Sequence, residues 1–201
     1  MAGRRRTSDS LARMSDAPAA PAVSKPSWTL RLSIAAAMAM AIAAAWLILS
    51  DHPGPAGLAV LLGGAGLITA ASVVVGTNGD TRAGAFAVSI AGRAFDGLVL
   101  GSIVWETREI DPAASAAALA ALGASFLAAY VRSRGRALGF PVAADQLVAR
   151  TAFLVLVGLG LVFAAHSVLA PALWAAAIVA AVSGVLGAVR IGAAARKERH
   201  E

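Results

Sequence analysis

Six apolar stretches, each close to the roughly 20 residues that an α-helix needs to cross a bilayer, follow one another along this chain. They cover about 32–50, 56–76, 83–105, 113–131, 151–168 and 171–190. Between them stand breakers: Asp51-His52-Pro53-Gly54-Pro55, Thr77-Asn78-Gly79-Asp80, the run from Glu106 to Pro112, and a basic segment from Arg132 to Arg150. Backbone N–H and C=O groups inside hydrocarbon must be bonded within the protein, and a helix does this with its own residues. The spacing therefore predicts an all-α polytopic membrane protein with six transmembrane helices.

Charge then orients the bundle. Of 17 Lys and Arg residues, all but Arg93 and Arg108 fall in the N-terminal segment, the second and fourth connections, or the C-terminal end. The first and third connections carry Asp51, Glu106, Glu109 and Asp111 instead. Basic residues concentrate on the cytoplasmic side of membrane proteins, so both termini are expected in the cytoplasm.

At 59% apolar and 14% charged, the chain lacks the polar residues that a soluble domain of 201 residues needs on its surface. Its net charge of +6 flanks the apolar runs rather than forming a patch, which argues against nucleic acid as a partner. With no cysteine, disulfides, thiolate metal sites and thiol nucleophiles are excluded.

Residues 1–28, rich in Arg, Ser, Pro and Ala, read as a disordered cytoplasmic tail, 29–195 as the transmembrane domain, and 196–201 as a basic cytoplasmic tail. The first apolar run begins too late for a secretory signal, and Arg4-Arg5-Arg6 is not followed by the apolar residue of a twin-arginine motif. Small residues at Gly63-Gly64, Gly158, Gly160, Gly184 and Gly187 are expected where helices approach closely. Trp28, Trp46, Trp105 and Trp174 lie near helix ends, as interfacial anchors do, and His166 reads as interfacial rather than as a ligand.

The third stretch holds two ionisable residues at membrane depth. Arg93 and Asp96 stand three apart, on one helical face, and are expected to pair. Such a pair reads as a structural ion pair, as a polar pocket that binds something, or as part of a proton or ion path.

Several segments carry a resemblance. Thr81-Arg82-Ala83-Gly84-Ala85-Phe86, the run around Ser89, Arg93, Asp96 and Gly97, Tyr130-Val131-Arg132-Ser133-Arg134-Gly135-Arg136-Ala137-Leu138-Gly139, Arg150 and Ala172-Leu173-Trp174 resemble the frame of the CDP-alcohol phosphatidyltransferases. These are six-helix membrane enzymes of phospholipid synthesis. The similarity runs over about 66–193 and is nearest to bacterial phosphatidylinositol-phosphate and phosphatidylglycerophosphate synthase types, which implies a bacterial cytoplasmic membrane. The family motif reads D-x2-D-G-x2-A-R-x8-G-x3-D-x3-D, its aspartates holding Mg or Mn against the CDP diphosphate and supplying a base. Aligned through Gly84, those four positions hold Leu67, Ala70, Val88 and Gly92. None offers an oxygen ligand or a proton acceptor, so no metal site, cofactor or catalytic residue is expected here.

The resemblance makes Arg132, Arg134 and Arg150 candidate anion-binding residues, with neighbouring Arg136; their other reading is a positive-inside segment facing anionic lipid. It also implies membrane lipids as partners, and a homodimer or a heterodimer with an active paralogue. The chain is accordingly expected to be a catalytically degenerate relative acting as partner or regulator. Two alternatives stand beside it: an enzyme with diverged chemistry on a lipid or isoprenoid phosphate, and a small-solute carrier or channel.

Overall fold

Residues 28–76, 82–139, 145–164 and 167–197 are described by a computed structural model. They form six α-helices with no strand among them: α1 (Trp28–Leu49), α2 (Pro53–Gly76), α3 (Arg82–Thr107), α4 (Pro112–Ala137), α5 (Asp145–Val162) and α6 (Leu169–Lys197). The expected tail residues 1–27 and 198–201, together with Asp80 and His166, lie outside the described residues.

Local chemistry explains the helix limits. Pro53 and Pro112 occupy first helical positions, where a missing N–H costs nothing. Asp111 caps α4, its Oδ1 accepting from the Ala114 N–H at 3.0 Å. Asp51 turns the α1–α2 connection with a φ of 59°. Gly139, at φ 84°, stands just past α4 in a conformation that costs a residue without Cβ nothing.

Two boundaries correct the sequence reading. The segment from Arg132 to Arg150 was expected to be a loop, yet α4 continues to Ala137 and α5 begins at Asp145. Arg, Leu and Ala all favour helix, so the basic residues extend the helices rather than interrupt them. The fifth helix thus runs over Asp145–Val162 instead of 151–168, which brings Arg150 inside it.

The helices alternate in direction, as their close approaches reveal. Gly184 faces Ala128, Gly187 faces Val131 and Gly135 faces Ile191, so α4 and α6 run parallel. Gly63 lies against Met40, and Gly66 against Ser33, so α1 and α2 are antiparallel. Gly64 meets Leu154 and Gly57 meets Gly158, which makes α2 and α5 antiparallel too. Each glycine named as a contact point in the sequence occupies one.

The core between them is built of methyl groups. Ala37, Ala41, Ala44, Ala114, Ala117, Ala118, Ala121 and Ala176 are fully buried, with Phe95, Leu100, Ile103, Leu161 and Leu173 filling what remains. Larger apolar side chains point outward instead: Ile42, Leu58, Leu62, Phe86, Leu119, Leu127, Ile178 and Val185 are all exposed. A water-soluble protein distributes them the other way. Trp28, Trp46, Trp105 and Trp174 are also exposed near helix ends.

Five of the helices, all but α5, are long and apolar enough to cross a membrane. The apolar part of α5, Leu147–Val162, is shorter. Its rise is about 24 Å, against roughly 30 Å of hydrocarbon in a typical bilayer.

Candidate functional site

Up-and-down order sends every charged connection to one of two ends. Arg31, Arg132, Arg134, Arg190 and Arg196 share one end, while Asp51, Glu106, Arg108, Glu109 and Asp111 share the other. At the second end Arg108 lies over the Trp105 ring at 4.0 Å, bonds the Trp105 carbonyl and approaches Glu109 at 3.4 Å. All three residues are on the surface, so these contacts contribute little.

The interior holds one carboxylate among the described residues. Asp96, 4% exposed, sits near the middle of α3, about 21 Å of rise beyond Arg82. Arg150 reaches it from α5: Nη1 donates to Oδ2 at 2.6 Å and Nη2 to Oδ1 at 2.6 Å. This is the two-pronged geometry in which guanidinium and carboxylate match best. Nη2 also lies 3.4 Å from the Gly92 carbonyl oxygen, and the Phe153 ring lies 5.4 Å from the guanidinium carbon.

The expected Arg93–Asp96 pair is therefore corrected. Helical side chains lean toward the N-terminus, and Arg93 accordingly reaches back one turn to donate to Ser89 Oγ at 3.0 Å. Its other nitrogen donates to the Ala129 carbonyl of α4 at 3.4 Å. A rigid fork from a facing helix can meet both carboxylate oxygens, which the neighbour three residues away does not do here. Among the described residues, no buried side-chain polar atom lacks a hydrogen-bond partner.

The sequence held one signal for this pairing. Gly92 precedes Asp96 by one helical turn, and a methyl group at Gly92 would meet Arg150 Nη2 at 3.8 Å. A residue without a side chain beside a buried carboxylate leaves room for a visitor from elsewhere. Distance along the chain hid which arginine that visitor was.

The other candidate residues are dispersed. Leu67 and Ala70 are buried in α2, whereas Val88 and Gly92 are half-buried in α3. Among the described residues no three His, Cys, Asp or Glu side chains come together. Arg134 is exposed near the end of α4. Arg132 and Arg150, with Ser125, Phe153 and Ser183, line a pocket of about 270 Å³, open mouth included, between α4, α5 and α6. Ser125 is buried and donates to the Leu122 carbonyl at 3.0 Å. Two of the three candidate anion-binding arginines thus share a pocket, and one of those two already holds a carboxylate.

By the length and apolarity of its helices and by its outward-facing side chains, this is a multi-pass helical membrane protein. Comparison with protein-family models, with curated proteins and with solved structures finds no match to the chain.

Proposed function

We propose that the chain is a six-span protein of a bacterial cytoplasmic membrane, with both termini in the cytoplasm. On this reading it is a non-catalytic relative of the CDP-alcohol phosphatidyltransferases that works as a binding partner or regulator. Orientation is supported by the end that gathers Arg31, Arg132, Arg134, Arg190 and Arg196.

One observation carries the non-catalytic reading. The interior carboxylate, Asp96, gives both oxygens to Arg150 at 2.6 Å. A metal at Asp96 would have to displace a guanidinium, and a base there would have to take a proton while paired. Phosphoryl transfer needs metal neutralisation and a positioned acceptor of the hydroxyl proton. Leu67, Ala70, Val88 and Gly92 supply neither.

The test is a transfer assay on purified full-length protein with CDP-diacylglycerol and an acceptor alcohol phosphate, with and without Mg²⁺. A second arm offers a polyprenyl phosphate. The expected result is no product above a protein-free blank in either arm, together with recovery of a phosphatidyltransferase paralogue by pull-down from native membranes. Product that disappears on adding EDTA overturns the reading.

A further inference from the structure

Among the six helices, α5 is the one that does not qualify for the membrane by itself. Its apolar part stops short of a bilayer's thickness, and Arg150 lies inside that part. An arginine within a span opposes insertion strongly, and a guanidinium cannot shed its proton to escape the cost. The side chain is nevertheless four-fifths covered, with a relative exposure of 21%. What covers its charge is Asp96, which belongs to a helix made earlier in the chain.

We infer that α5 is a conditional span: it enters the bilayer because Asp96 of α3 meets Arg150, and it remains on the cytoplasmic side when Asp96 is absent. The inference rests on the proposed reading that α5 crosses the membrane. It adds that the crossing is decided by a partner helix rather than by apolarity.

The geometry separates two contributions. Toward α2 and α6 the helix offers small residues: a methyl group at Gly158 would lie 2.6 Å from Leu61, and one at Gly160 would lie 2.8 Å from the Ala172 methyl. Those contacts form only once α5 is already within the bundle. The Arg150–Asp96 pair cancels the charge that would keep it out. Removing the carboxylate leaves α5 carrying a guanidinium with no counter-charge, whereas removing the arginine leaves α5 with no ion of its own to bring into the bilayer. The two single substitutions should therefore differ.

The chain has no cysteine, so one introduced cysteine is a unique reporter. Val168, exposed between α5 and α6, is placed to read whether α5 has crossed. The full-length Val168→Cys protein is labelled in intact cells with a membrane-impermeant maleimide, and again after permeabilisation. Labelling of intact cells is expected. Adding Asp96→Asn should lower that labelling by about tenfold or more, with the thiol appearing after permeabilisation. Adding Arg150→Leu alone should leave labelling close to its starting level, and Asp96→Asn with Arg150→Leu should restore it.

Unchanged labelling in the Asp96→Asn protein overturns the inference, and so does a double variant that fails to recover. If the reporter without further substitutions is reached only after permeabilisation, α5 does not cross. The six-span reading then falls, and this inference with it.

Discussion

The two sides of α5 are held in opposite ways. Toward α2, backbone lies against backbone: a methyl group at Gly57 would stand 2.5 Å from the Gly158 carbonyl oxygen and 2.7 Å from the Val162 nitrogen. Toward α3, one long side chain ends in a pair of 2.6 Å hydrogen bonds. The first seam depends on the absence of side chains and the second on a particular side chain. Lipid tails are as apolar as leucine, so burial gives helices little reason to associate in a membrane. Close fit and electrostatic matching are what remain, and this helix uses one on each side.

The contrast can be broken at its most sensitive point first. Asp96→Leu leaves the Arg150 guanidinium without its counter-charge. Breaking a buried pair from one side costs about 3–5 kcal/mol, so a large fall in the thermal midpoint of purified protein in detergent is expected. Asp96→Leu combined with Arg150→Leu should recover most of that loss, because two apolar residues replace a pair that was costly to bury. No recovery would mean that the bridge supplies more than charge balance.

Next comes the glycine seam. Gly57→Ala places a methyl group into backbone atoms that have no flexible end to give way. A loss of about 1–3 kcal/mol is expected, read in the same unfolding measurement. Should Gly57→Ala leave the midpoint unchanged, the α2–α5 approach is looser than described.

The smallest effect belongs to Gly97, which has no described atom within 4 Å of where its Cβ would be. Alanine there relieves the helix of a poor helix former, so a gain between zero and about 1 kcal/mol is expected. Gly57 and Gly97 are the same residue type in helical positions, and opposite signs would sharpen the comparison.

Much of this was legible in the sequence for a plain reason. Apolar length and breakers act locally, so the six helices, their order and the glycine contacts at Gly63, Gly158 and Gly184 could be read along the chain. The limits of α4 and α5 are not legible in this way, because a run of basic residues reads as a loop although arginine continues a helix readily. The partner of Asp96 is hidden in the sequence for a different reason. Arg93 is its neighbour in sequence, but side-chain direction sends Arg93 back to Ser89, and the three-dimensional packing delivers Arg150 from 54 residues away. Patterns along one helix say which face a group occupies, and they do not say who arrives at that face.

The alanine-lined core has a mechanical consequence. Along α4, Ala114, Ala117, Ala118 and Ala121 present a nearly smooth surface, with no large knobs to resist axial slip. Two polar pins fix that helix against α3: Ser115 Oγ donates to the Val104 carbonyl at 3.2 Å, and Arg93 donates to the Ala129 carbonyl. They stand about 21 Å apart along α4. Two fasteners at that separation oppose both translation and swivel of α4 against α3, a resistance that the methyl-lined face of α4 does not supply.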